Sequence, residues 1–232
     1  MNEKDGKKNK HKASTTKMKN DTNIKNCVVI VAHPDDETLW AGGTILSHPK
    51  WKWLVVSLCR KNDENRSGKF TKVMAQLHAD GVMGDLDDGP SQEPLRTEVV
   101  EQAILNLLPT TSFDLIITHA PQGEYTRHLR HEETSMAVLN LWHTGKLKTK
   151  ELWLFAYEDH QKAHYPRAIE HATKHNTLSN EIWAEKYKII TETYGFHPTS
   201  WESQATPKAE AFWQFNNSLE ARNWFANYKS LL

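Results

Sequence analysis

The sequence predicts an α/β fold: a doubly wound, mostly parallel sheet flanked by helices, with a helical C-terminal region. Three observations carry this reading. Apolar runs of strand length recur without polar alternation, as in strands buried on both faces. Helix-like stretches lie between those runs, which is the signature of βαβ units. The length of 232 residues suits one sizeable domain whose core needs no disulfide staples.

The chain opens with residues 1–26, which hold eight Lys against three acids (Glu3, Asp5, Asp21), a net of +5. The stretch has almost no large apolar side chain and no continuous apolar run of a secretory signal. It reads as a disordered basic tail, because it cannot bury enough surface to offset its ordering entropy. A single domain is expected over 27–232.

Cys27–Ala32 is the first strand, followed by a helix over Thr38–Ser47. Gly42-Gly43 within that helix reads as close helix–sheet packing rather than a phosphate cradle. Trp53–Leu58 is the next strand, and Lys69–Asp80 the next helix. Pro94–Leu108 follows as a helix, with Val99, Val100, Ala103, Ile104, Leu107 and Leu108 at helical spacing. Phe113–Thr118 and Leu152–Tyr157 are two further strands, separated by a helix over Glu132–Trp142. From residue 181 the pattern is helical, with Trp183, Tyr187 and Ile190 on one face and Pro207 as a helix start. No internal repeat is present.

Composition narrows the function. No apolar run approaches the roughly 20 residues that span a bilayer. The 29 Lys+Arg balance 29 Asp+Glu, which argues against a dedicated nucleic-acid binder. Two cysteines exclude a disulfide framework and a four-sulfur zinc finger. Both sit at ends of apolar strands and read as reduced core residues in a reducing, cytoplasmic compartment. No G-x-G-x-x-G follows the first strand, so a dinucleotide cofactor is not expected. The 13 His stand out, because imidazole is both a metal ligand and a proton shuttle near neutral pH.

Two clusters sit at strand ends, where an α/β fold places its ligands. The first is His33-Pro34-Asp35-Asp36-Glu37. His33 and Asp36 can converge on one metal, while Asp35 points elsewhere as a general base toward water. The competing reading is a helix N-terminus whose three acids favour the positive end of the helix dipole. The second cluster is Gly123-Glu-Tyr-Thr-Arg-His128-Leu-Arg-His131-Glu132, with His119 just upstream. His128 and His131 share one face at a helix start, so one can be the third ligand while the other faces substrate. A surface pair is the plainer reading of these two residues taken alone. Two His and one Asp leave a fourth zinc position open, the catalytic arrangement.

The run Ala32-His-Pro-Asp-Asp-Glu37, with the later His128-x-x-His131, resembles the zinc-dependent de-N-acetylases of the PIG-L and LmbE-like family. The resemblance covers residues 27–160 and, more weakly, the C-terminal helices. It implies a Rossmann-like fold and removal of an acetyl group from an N-acetylated sugar or sugar conjugate. It further implies Zn²⁺ on His33, Asp36 and His131, with another divalent ion admitted by an N/O donor set. By the same resemblance Asp35 is the general base, His128 supports the oxyanion, and Asp87-Asp88-Gly89 is a step in the substrate loop. Asp88 is therefore expected to bind substrate. Arg127 and Arg130 alternate with the histidines and are candidates for the same role, with a plain salt bridge as the alternative. Trp40 joins them because it lies just past the metal loop.

The chain departs from the family pattern at Lys69-Phe-Thr-Lys72, where an Arg and a Glu are common, and at Asp80-Gly81, where Leu-Gly is common. His128-Leu-Arg-His131 and the loop Cys59–Asp63 also differ. These leave the metal site intact and the substrate open. The expected partner is a small N-acetylated molecule, with no nucleic acid and no membrane span; the oligomeric state is open. Two alternatives remain beside the sugar deacetylase. One is an amidase for another small acyl-amine conjugate. The other is a metal-containing binding protein without turnover, against which the intact Asp35 argues.

Overall fold

The computed structural model describes residues 24–125 and 127–229. Most of the expected basic tail, residues 1–23, lies outside them. The elements in chain order are β1 (Asn26–Val31), α1 (Asp36–Ser47), β2 (Lys52–Cys59), α2 (Glu64–Leu77), β3 (Asp80–Leu86), α3 (Thr97–Leu107), β4 (Ser112–Thr118), α4 (Leu129–His143) and β5 (Lys148–Phe155). They continue with β6 (Tyr157–Glu158), β7 (Arg167–Ala168), β8 (Lys174–Thr177), α5 (Asn180–Lys188), a π-helical turn (Ile189–Thr193), α6 (Trp201–Ala205), β9 (Ala209–Phe215) and α7 (Ser218–Lys229).

Seven strands form one sheet in the order β3-β2-β1-β4-β5-β9-β8. β1 to β5 are mutually parallel, and β9 and β8 close the far edge antiparallel. The doubly wound α/β architecture expected from the sequence is thus what the chain adopts. β6 and β7 form a separate two-stranded pair. β1 shows why the continuous apolar runs were informative. Cys27, Val29 and Val31 enter the cluster shared with α1 and α2, while Val28 and Ile30 enter the one shared with α3 and α4. Both faces are buried, so no polar alternation is tolerated.

Three expectations need correction. The stretch Lys69–Asp80 is not one helix. α2 ends at Leu77, His78 turns the chain with φ 52, and β3 begins at Asp80. β3 reads Asp-Gly-Val-Met-Gly-Asp-Leu, a composition poor in strand formers, yet pairing with β2 overrides propensity. Gly81 is required there: a Cβ would meet Met74 at 2.5 Å and Phe70 at 2.7 Å. The C-terminal region is not all helical, because it supplies β8 and β9. Pro207 leads into β9 rather than a helix, and Trp213 is a strand residue. Antiparallel pairing of β9 with β5 on one side and β8 on the other decides this. Last, the strand expected to reach Tyr157 ends at Phe155, and Tyr157 belongs to β6.

Cys27 and Cys59 are free and buried. Among the described residues, no helix is long and apolar enough to cross a membrane. The strand order reverses between β1 and β4, and the crevice beyond their carboxyl ends is where an open α/β sheet binds ligands.

Candidate metal centre and active site

His33 follows β1, Asp36 opens α1, and His131 sits in the first turn of α4. Their donor atoms form a nearly equilateral triangle. His33 Nδ1 is 3.1 Å from Asp36 Oδ2 and 3.2 Å from His131 Nε2; His131 Nε2 is 3.2 Å from Asp36 Oδ2. Three corners of a tetrahedron around zinc, with bonds of about 2.0–2.1 Å, would stand about 3.3 Å apart. The triangle fits one ion of that size.

The remaining polar atoms of the three residues are already engaged, which fixes what they present inward. Asp88 Oδ1 lies 3.1 Å from His33 Nε2 and takes its N–H, so the Nδ1 lone pair faces the triangle. Glu124 Oε2 lies 2.7 Å from His131 Nδ1 and takes that N–H, leaving Nε2 to face inward. Trp40 Nε1 donates to Asp36 Oδ1 at 3.2 Å, and the His33 backbone N–H donates to Asp36 Oδ2. A carboxylate behind each imidazole is the usual way to set tautomer and basicity in a metal site. His119 is fully buried behind the triangle and stacks on His131. Its Nε2 accepts the Ala32 N–H at 3.0 Å and its Nδ1 donates to Glu124, so it supports the centre without a free lone pair.

Asp35 occupies a different position. It is the N-cap residue of α1, with Asp36 and Glu37 in the first turn as the helix-dipole reading expects, but its carboxylate makes no capping hydrogen bond. Arg66 Nη1 donates to its Oδ2 at 2.8 Å instead. Its backbone has φ 120, a region that favours glycine. Glu37 holds it there: Oε2 accepts the Asp35 N–H at 3.0 Å, while Oε1 accepts from Thr38 Oγ1 and from the Tyr194 hydroxyl at 2.7 Å. Burial pushes the Asp35 carboxyl well above the usual range, the neighbouring Asp36 adds to this, and Arg66 opposes it. Asp36 goes the opposite way: burial raises it, but His131, His33 and His119 together outweigh that. Glu124 is held down at about 2, where His119 and His131 outweigh burial.

His128 is half-buried, lies in T-shaped contact with His33 and stacks 4.2 Å from His131. Its Nδ1 is buried with no hydrogen-bond partner, an orphan that points to an absent group. Burial and the charges of His131 and His33 push its pKa down to about 3. A neutral imidazole in this place carries one ring N–H that it can offer to a ligand.

A cleft of about 200 Å³ opens onto the triangle. Of the expected residues, His33, Asp35, Asp36 and His128 line it. The four expected to touch substrate do not. Arg127 is exposed and forms an ion pair with Glu132. Arg130 is buried and donates to the Asp87 and Glu93 carbonyls and to Glu133, which ties the loop after β3 to α4. The Asp88 carboxylate is taken up by His33, Arg60 and Gln92. Trp40 is fully buried under Asp36.

The cleft wall is instead completed by Arg60, Arg66, Tyr125, Trp201 and Glu202, which the sequence reading did not single out. Arg66 sits one turn before Lys69–Lys72, the stretch noted above for lacking an Arg. Glu124 was within the quoted cluster but had no helical relation to His131, because the intervening chain turns.

The family profile described as PIG-L: GlcNAc-PI de-N-acetylase matches residues 28–142. An uncharacterized protein of Acanthamoeba polyphaga mimivirus is 22% identical over 193 residues, covering 77% of this chain and 83% of the relative. GalB, the 4-carboxy-2-hydroxymuconate hydratase of Pseudomonas putida KT2440, superposes with a TM-score of 0.56 at 14% identity, covering 82% of this chain and 96% of GalB. The pseudoaglycone deacetylase Dbv21 does so with a TM-score of 0.55 at 14% identity, covering 84% of this chain and 98% of Dbv21. At such identities the likeness shows the fold, and one fold carrying a hydratase and a deacetylase leaves the activity to the site. Through residues 28–142, which contain every member of the donor triangle, the chain belongs to the family described as PIG-L: GlcNAc-PI de-N-acetylase.

Proposed function

We propose that this chain hydrolyses the N-acetyl group of an N-acetylated sugar or sugar conjugate, with a divalent metal, zinc by its donor set, on His33, Asp36 and His131. The carrying observation is the donor triangle with a buried non-ligand carboxylate, Asp35, lining the same cleft. A bound divalent ion supplies Lewis acidity toward the acyl oxygen and toward water.

The protein's own groups do the rest. Asp35, with its carboxyl raised by burial, takes a proton from the attacking water and delivers it to the departing amine nitrogen. Arg66 holds the Asp35 side chain and favours its charged form. His128 donates its ring N–H to the acyl oxygen as charge develops there. Asp88 and Glu124 keep His33 and His131 in the required tautomers. A purely structural metal site has no use for Asp35, which favours turnover over simple binding. Two free buried cysteines support a reducing compartment.

The test is release of free amine from a panel of N-acetylated sugars, with and without a chelator. Asp35→Asn should keep a stoichiometric metal and lose about 10²–10⁴-fold in kcat, the usual share of a general base. A variant that retains most of its activity, or a wild-type protein that turns over undiminished after metal removal, would sink this reading.

A further inference from the structure

Two residues of the cleft come from outside the family match. Trp201 and Glu202 open α6, whose start is fixed by Ser200 Oγ accepting the Ser203 N–H at 3.3 Å. Trp201 keeps 38% of its surface exposed in a cleft otherwise lined mainly by charged and polar groups. Its ring stands 4.7 Å from Tyr125, and Tyr125 stands 5.7 Å from His131. The Tyr125 ring thus touches both the His131 ring of the donor triangle and the Trp201 ring.

The charges lining the cleft point the same way. Asp35 is paired with Arg66, Asp36 faces His33 and His131, and Arg60 is paired with Asp88. Glu202 lines the cleft and forms no ion pair among the described residues. Its half-buried carboxylate is an acceptor within the cleft lining. The cleft volume of about 200 Å³ is below the range of drug-sized pockets, so it holds the acylamino group and one small ring.

We infer that Trp201 and Glu202 determine specificity: the ring bearing the acylated amine lays one face on Trp201 and donates its hydroxyls to Glu202. The inference rests on the function proposed above and narrows it. The fitting substrate is a neutral polyhydroxylated ring whose acylated unit is terminal, because anything beyond the first ring has to project past Trp201 into solvent. The aliphatic face of such a ring gains dispersion contact on an indole, and its hydroxyls gain a charged acceptor. A phosphate or carboxylate on the same side of the ring meets the Glu202 charge.

The experiment compares the full-length, zinc-loaded wild type with Trp201→Ala, Trp201→Phe and Glu202→Gln. The substrates are N-acetylglucosamine and its 6-phosphate, and kcat and KM are measured separately. Trp201→Ala should raise KM for the neutral sugar about tenfold with kcat within about twofold, the pattern of lost uniform binding. Trp201→Phe should recover most of that loss. Glu202→Gln should raise KM for the neutral sugar and lower it for the phosphate. The inference fails if Trp201→Ala leaves KM within twofold, or if the loss appears in kcat and Trp201→Phe does not rescue it. A wild type that turns over normally beside such silent variants overturns the specificity assignment alone. A wild type that releases no amine overturns the proposed function, and the assignment with it.

Discussion

His33 and His131 show how much a single side chain depends on what stands behind it. His33 and His131 each present one ring nitrogen inward only because Asp88 and Glu124 take the other N–H. Glu124 is the stronger case, since it is fully buried and also receives Nδ1–H of His119 and the Ala120 N–H. Glu124→Gln keeps the volume but offers an amide where His131 needs a charged acceptor. We expect zinc affinity to fall about 10–100-fold, as is typical when such a partner is lost. Competition with a chromogenic chelator measures it, and unchanged affinity would show that His131 needs no such anchor. His33 and Asp36 were legible as candidate ligands from the Ala32–Glu37 run, while the His128/His131 spacing left either histidine as the third and only the family resemblance implied His131. Glu124 was not legible, because its tie to His131 runs across a turn with no sequence period.

Helix α1 shows the same dependence one level up. Gly43 and Thr44 both donate backbone N–H groups at 2.7 Å to Glu210 of β9, and Thr44 Oγ1 adds a third bond. Lys186 of α5 closes the arrangement with a 2.7 Å ion pair to Glu210, both side chains fully buried. Gly43 packs as closely as the Gly42-Gly43 pair implies: a Cβ there would meet Leu178 at 2.5 Å and Glu210 at 3.0 Å. The amides also form an anion cradle, but its anion is the protein's own carboxylate. Gly43→Ala should therefore destabilise the fold by about 1–3 kcal/mol, the usual cost of overpacking a filled site. Chemical denaturation checks this, and a neutral or stabilising result would mean that Leu178 moves aside freely. Nothing local to Gly43 or Glu210 reveals the pairing, because 167 residues separate them. For the same reason β9, rich in Ala, Glu and Gln, resembles a helix until β5 and β8 pair with it.

At the scale of the whole molecule, the C-terminal segment reaches back to the loop that carries Asp35. The π-helical turn Ile189–Thr193 delivers Tyr194, whose hydroxyl meets Glu37, which in turn holds Asp35 in its positive-φ conformation. Tyr194→Phe removes one donor from a buried carboxylate and should cost about 1–3 kcal/mol of stability. It should also lower kcat while leaving zinc stoichiometry and KM unchanged, because it loosens the base and not the metal. Denaturation, metal analysis and steady-state kinetics read the three effects separately; an unchanged kcat would mean that Asp35 stays in place without Tyr194. The sequence by itself determined four of the five parallel strands, β1, β2, β4 and β5, since strands buried on both faces must be continuously apolar; β3, whose run is Asp-Gly-Val-Met-Gly-Asp-Leu, was set by its pairing with β2. It also brought out His33 and Asp36 of the donor triangle as candidate ligands, since both sit in one short local run at a strand end. Only the tertiary structure decided the tautomers, the strained base, the cleft wall and the last two strands of the sheet. Each of these is set by a contact between residues far apart in the chain, where propensity and periodicity carry no information.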